Sequence, residues 1–312
     1  MREHVELLYI LSTKAGNGES KNLREHLYAI ADKRDLHVSI SVVETEHENH
    51  ATEAAQDFAA RSGEDPSKIR VVYVLGGDGT SNEVASVLAG TSTAIGVLPA
   101  GTANDFAKQL YPKGARIRDL LQRSLTPVLE PIDLISVNDG ISLNVASFGF
   151  DTVVLEQAYR YLKRFPRLGR FAYVLAVMRC VFQKKSYFAS WEILDHEQGW
   201  IRGEGAVTLG TIANGGYYGD GFRPAPNAVL DDGLLDIGIA AEVLNREVLG
   251  LVLQYKKGTH IGHPKVRQYK ATEGVFRAKP GEELLANKDG IIIREKELRF
   301  KVLPKKILLA RI

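Results

Sequence analysis

Two short runs in this 312-residue chain combine glycines with a carboxylate in a way that suits phosphate binding: Gly76-Gly77-Asp78-Gly79-Thr80 and Pro99-Ala100-Gly101-Thr102-Ala103-Asn104-Asp105. Glycines let a backbone approach phosphate closely and adopt positive φ, while free N–H groups at a helix start supply donors and the positive end of a dipole. Asp78 alone would repel phosphates. A divalent cation resolves the conflict, because a carboxylate together with nucleotide oxygens is a usual way of holding Mg²⁺. Thr102, Asn104 and Asp105 place a hydroxyl, an amide and a carboxylate at the second turn, where a helix would open.

The elements around these runs have the periodicity needed to position them. Val71 to Leu75 is a continuous apolar run rich in β-branched residues, expected as a strand buried on both faces. Ser81, Asn82 and Glu83 follow the first glycine turn, with Val84, Ala85, Val87 and Leu88 at helical spacing. Ala94 to Leu98 is a second strand. Two such strand–turn–helix units about 20 residues apart match a doubly wound sheet, whose adjacent strand ends line one crevice. Val5 to Leu11 and Leu36 to Val43 are expected as strands one and two, with helices near Leu23–Ile30 and Ala51–Arg61.

Around Pro131 the pattern changes. Ile132–Val137 and Ile141–Ala146 are expected as a hairpin about Asn138-Asp139-Gly140. Leu155–Ser186 is expected as helical, basic and rich in aromatics, the composition of an amphipathic interfacial segment. From Ala271 onward come short strands at Ala271–Ala278, Leu284–Ala286, Gly290–Arg294, Leu298–Val302 and Ile307–Ile312. The expected organisation is an α/β domain over 1–131, a parallel sheet with helices on both faces, followed by a mainly antiparallel β-sandwich over 132–302. The strand at about 303–312 is free to return to the first domain.

Composition narrows the class. The formal net charge is +2, which assigns no partner; no nucleic acid is expected, and a homodimer is left open. No apolar run approaches the roughly 20 residues of a membrane span, so any membrane contact is expected to be peripheral, through 155–186. The N-terminus reads as a strand, not a leader, and the lone Cys180 fits a reducing, cytoplasmic setting as a core thiol. His47 and His50 read as loop histidines, His260 and His263 as solvated ones.

No GxxxxGK[ST] phosphate loop occurs. The pair GGDGTSNE and LPAGTANDFA instead resembles the catalytic domain of the diacylglycerol kinase family, which includes bacterial lipid kinases and sphingosine and ceramide kinases; NAD kinases share only GGDG. The resemblance implies an NAD kinase-like first domain and an ATP-dependent transfer to a lipid hydroxyl, most simply that of diacylglycerol. Gly76, Gly77, Gly79 and Thr80 would then hold phosphates, Asn82, Glu83 and Thr102 would complete the pocket, Asp105 would support it, and Asp78 would govern Mg²⁺ or the attacking hydroxyl. It also implies a phosphate contact for the loop holding Ser12 and Gly16, an adenosine-side position for Thr45, and a Mg²⁺ held by Asp232 with the carbonyls of Val229 and Leu234. Family members carry an acidic DGE whose glutamate is taken as general base. This chain has Asp289-Gly290-Ile291, and isoleucine accepts no proton. Asp78 or Asp289 is left for that role. The rival readings are a kinase for a soluble acceptor of the NAD type and an impaired nucleotide-binding, membrane-associated protein.

Overall fold

The computed structural model describes residues 4–12, 20–32, 37–61, 68–101, 103–169, 171–182 and 186–312. They fall into two compact units, one holding the residues up to Asp133 and from Pro304 onward, the other Leu134–Leu303.

The first unit alternates strand and helix: β1 (Val5–Leu11), α1 (Ser20–Asp32), β2 (Val38–Glu44), α2 (His50–Ala60), β3 (Ile69–Gly76), α3 (Asp78–Leu88), β4 (Ala94–Pro99), α4 (Asp105–Leu110) and α5 (Ile117–Arg123). β1–β4 are parallel in the order β2-β1-β3-β4, in register from Leu11↔Glu44 through Leu11↔Leu75 to Gly76↔Pro99. The buried run of β3 behaves as a strand covered on both faces should. Tyr9 and Tyr73 stack with ring centroids 5.1 Å apart, and their hydroxyls meet Ser124 at its Oγ (2.7 Å) and its carbonyl (2.9 Å). A side chain at Gly96 would collide with the Tyr73 ring, so glycine lets β4 lie close to β3.

The second unit takes in the end of β5 (Val128–Val137), then β6 (Gly140–Ser142), β7 (Val145–Gly149), α6 (Phe150–Arg164), α7 (Phe171–Cys180), β8 (Tyr187–Asp195), β9 (Gly199–Ala213), β10 (Leu235–Ala241), α8 (Asn245–Lys257), β11 (Val266–Ala278), β12 (Leu284–Lys288), β13 (Ile291–Glu295) and the start of β14 (Glu297–Arg311). Its strands pair antiparallel. Two long strands are shared: β9 pairs β8 over 199–207 and β10 over 207–213, while β11 pairs β10, β8 and β14 along its length. One apolar core lies among these strands, with Phe148, Trp191, Phe276 and Phe300 in it. A second is built by α6, α7 and α8 through Val154, Ala158, Ala176, Cys180, Val248 and Tyr255. The parallel unit and the sandwich are the two fold classes expected from periodicity.

Four local expectations need correction. Leu155–Ser186 is two helices, α6 and α7, separated by a 3-10 turn at Pro166–Leu168 that the proline enforces. Ile141–Ala146 breaks at Leu143-Asn144, whose N–H groups turn to the carboxylate of Asp289 instead of a neighbouring strand. β14 runs on past Pro304, where Lys305 takes φ 49° and its N–H donates to Asp133 (2.7 Å). His260 is buried, stacked on Tyr255 with centroids 3.7 Å apart, its Nε2 3.1 Å from the Pro224 carbonyl. Burial pushes its pKa below the usual imidazole range.

Candidate active site

Chain order places the reversal point of the first sheet between β1 and β3, because β1 leads through α1 to one side and β3 leads through α3 to the other. Open parallel sheets bind ligands outside the carboxyl ends of their strands at this point. Ser12 follows β1 and donates its N–H to Leu75 (3.0 Å), Thr45 follows β2 and donates to Leu11 (2.9 Å), and Gly77 and Ala100 follow β3 and β4. Ser12, Thr45, Gly76, Gly77, Asp78 and Asn104 thus share one sheet edge. Gly16 and Thr102 lie outside the described residues.

The two glycine turns are interlocked. A Cβ on Gly101 would stand 2.6 Å from the Cα of Gly77 and 2.8 Å from the carbonyl oxygen of Gly76, so only glycine permits this approach. Asn104 holds the second turn by reciprocal bonds, its Nδ2 donating to the Gly101 carbonyl and its Oδ1 accepting the Gly101 N–H, both at 2.7 Å. It does so at φ 55°, a left-handed conformation that asparagine tolerates. Asp78, the first residue of α3, accepts the Phe106 N–H at 3.2 Å and so binds α3 to the first turn of α4. Asp105 is buried against the ammonium of Lys108 at 2.9 Å. Ser81 and Asn82 point inward, and Ser81 Oγ donates to the Gly77 carbonyl (3.2 Å). Gly77, Asp78, Gly79, Thr80 and Glu83 remain partly exposed.

Gly77 and Gly79 differ from Gly101 in the opposite sense. Among the described residues a Cβ on either would meet no atom within 4 Å, and neither takes a positive φ. Nothing among the described residues requires glycine there. A ligand laid against the N-terminal turn of α3 does, because a phosphate oxygen must come within hydrogen-bond reach of the N–H groups.

The second unit disposes of its carboxylates differently. Asp289 Oδ2 accepts from Ser142 Oγ (2.7 Å), Leu143 N (2.8 Å) and Asn144 N (3.3 Å), and Oδ1 accepts from Val145 N (3.0 Å). Burial pushes its pKa up, with these four donors opposing the rise. Such a group anchors a loop and is a poor fit for the proton-accepting role. Asp289→Asn is therefore expected to lower the melting temperature, since an amide turns a donor toward buried N–H groups, at a cost of about 1–3 kcal/mol. Scanning calorimetry checks this. Asp289 and Gly290, both at positive φ, form the two-residue turn joining Lys288 to its partner Ile291, whose side chain is exposed where the glutamate was expected.

Sequence spacing did not single out Asp151. Its carboxylate accepts from Ser147 Oγ and from the Thr152 N–H (2.7 Å), while Asn287 Nδ2 donates to Ser147 Oγ (2.6 Å) and Thr152 Oγ1 (3.0 Å). Burial raises its pKa. The network ties the start of α6 to the Asp289 hairpin, and its partners lie far apart in the chain.

The turn implied for Mg²⁺ already holds a cation. Asp232 Oδ1 accepts the Leu234 N–H (3.0 Å), and Oδ2 faces Lys270 Nζ (3.1 Å), which also meets Asp236 (3.0 Å). Among the described residues no cluster of three His, Cys, Asp or Glu could hold a metal. With an ammonium on its carboxylate, the Val229–Leu234 turn does not fit a divalent ion.

The family described as diacylglycerol kinase catalytic domain matches residues 6–137, and that described as YegS C-terminal NAD kinase beta sandwich-like domain matches residues 144–311. A probable lipid kinase YegS-like of Shewanella frigidimarina is 29% identical over 314 residues, spanning 97% of this chain and 92% of that one. A diacylglycerol kinase of Mycobacterium tuberculosis is 32% identical over 228 residues, 70% of each chain. A putative diacylglycerol kinase from Bacillus anthracis shares the fold, with a TM-score of 0.76 at 22% identity over 98% of this chain and 97% of that one.

Proposed function

We propose, for a chain that belongs to the diacylglycerol kinase catalytic-domain family and is thereby a lipid kinase, that ATP is the phosphoryl donor and diacylglycerol the acceptor. The lipid hydroxyl attacks the γ-phosphorus of Mg-ATP, the bond to the β,γ-bridging oxygen breaks, ADP leaves, and the hydroxyl proton passes to solvent or a carboxylate. The observation that carries this reading is the pair Gly77 and Gly79, which no described residue requires to be glycine and which stand at the reversal point of a parallel sheet. Asp78 would face the cation that accompanies the nucleotide, and Thr80 and Glu83 would border the phosphates. Ser12 and Thr45 would lie toward the rest of the nucleotide.

Ile291 does not defeat this reaction. Phosphoryl transfer runs mostly on positioning and charge neutralisation, so a missing base costs less than in a reaction that must form a full alkoxide. Ile291 does favour a second reading, a nucleotide-binding protein without turnover. Incubation with Mg-ATP labelled at the γ-phosphate and diacylglycerol, sphingosine or NAD separates them. Labelled phosphatidic acid supports the proposal; label in another acceptor, or in none despite ATP binding, contradicts it.

Gly79→Ala sharpens the test. Gly79 lies in the first turn of α3, where alanine is the better helix former by roughly 0.5–1 kcal/mol. The variant is expected to melt at or above the wild-type temperature while its KM for ATP rises about tenfold or more, as expected if the methyl displaces a phosphate contact worth roughly 1.4 kcal/mol. Thermal denaturation and steady-state kinetics check the two halves.

A further inference from the structure

We infer that the outward face of α7 is a membrane-docking face that beds into an anionic lipid surface, an inference that builds on the reading of the acceptor as a lipid. A helix on a folded core ordinarily turns its large apolar side chains inward. α7 does the reverse. Ala172, Ala176 and Cys180, one turn apart, are its buried residues, whereas Phe171 is 74% exposed, Met178 64% and the following Phe182 81%, with Val174 and Leu175 exposed between them. Single exposed apolar residues are ordinary; five at helical spacing on one face form a patch of the kind that marks an interaction surface.

Charge selects the partner. From Gln157 to Trp191 the chain has no acidic residue. Lys163, Arg164, Arg167 and Arg179 are exposed and form no ion pair among the described residues, and the carboxylate of Glu156 on α6 is taken by Arg160 and Arg294. The Arg164 guanidinium lies over the exposed Phe165 ring, 5.7 Å from its centroid, an arrangement suited to the boundary between apolar and polar layers. Two copies joined symmetrically through this face would bring these cations together, whereas anionic headgroups neutralise them. No described helix is long and apolar enough to cross a bilayer, so α7 would lie in the plane of the interface. The docking element is thus narrower than the whole 155–186 segment, because α6 buries Val154 and Ala158 against the protein.

The test is flotation of the full chain, without ATP, on vesicles of phosphatidylcholine alone and of phosphatidylcholine mixed with phosphatidylglycerol. The wild type is expected to float with the mixed vesicles only. A triple variant Phe171→Gln, Met178→Gln, Phe182→Gln and a second one, Arg164→Gln, Arg167→Gln, Arg179→Gln, should each lose about tenfold or more in partitioning. Both should still phosphorylate a short-chain diacylglycerol presented as dissolved monomer. Unchanged flotation of the apolar triple overturns the inference. So does a wild-type dimer that the apolar triple converts to monomer without altering flotation, which would make the face a contact between copies. Flotation as expected with no labelled lipid leaves the docking face standing and removes the kinase reading alone.

Discussion

Asp78→Asn loses on the order of 10²–10³ in kcat, the scale of removing one preorganised electrostatic partner from a charged transition state, and melts where the wild type melts. The separation of the two effects follows from the bond between Asp78 and Phe106. The Oδ1 of Asp78 accepts the Phe106 N–H, and an asparagine Oδ1 can accept the same bond, so α3 stays tied to α4. What disappears is the negative charge. Beside a triphosphate that charge is tolerable only with a cation between, and it is then the group that holds the cation in place as charge moves onto the leaving oxygen. Rate measurements at saturating ATP and lipid, paired with thermal melts of the same preparation, check the result. Loss of folding together with activity would reduce Asp78 to a structural tie.

Gly101→Ala is expected to fail in both respects. The added methyl meets backbone, the Cα of Gly77 and the carbonyl of Gly76, and backbone cannot rotate out of the way. Overpacking of this kind costs about 1–3 kcal/mol, and the relaxation available is to part the two turns. Parting them moves the N-terminal turn of α3 away from Asn104 and strains the Asp78–Phe106 bond, so ATP affinity should fall by about tenfold or more. The contrast with Gly79→Ala is the informative part: one added methyl clashes with the fold, the other with the ligand. Melting temperature and ATP titration of the two variants side by side distinguish them. Equal behaviour would mean that the glycines of the first turn serve only the fold.

What was legible in the chain is what is local. The apolar run of β3, its stop at Gly76-Gly77 and the helical spacing after Asp78 lie within one window, and the same pattern recurs at β4, so the parallel unit and its glycine turns were readable. The contact of Gly101 with Gly77 and the bond from Asp78 to Phe106 were not, because they join residues more than a turn and a helix apart and leave no period behind. Asp289 illustrates the limit most clearly. Its carboxylate is satisfied by residues 142–145, nearly half the chain away, and that capture also breaks the strand expected through Leu143. The basic neighbours of His260 point to solvent, whereas its burial is decided by Tyr255 and Pro224. The basic and aromatic spacing of Leu155–Ser186 does not register the break at Pro166 that splits α6 from α7.

Titration calorimetry of the full chain with Mg-ATP reaches the centre of the account, since every role given to these residues requires a triphosphate at the ends of β1 and β3. Saturable heat with the wild type, weakened in Gly79→Ala at unchanged stability, is the expected result. Absence of any heat with a nucleoside triphosphate at millimolar concentration, or binding that Gly79→Ala leaves intact, would contradict it.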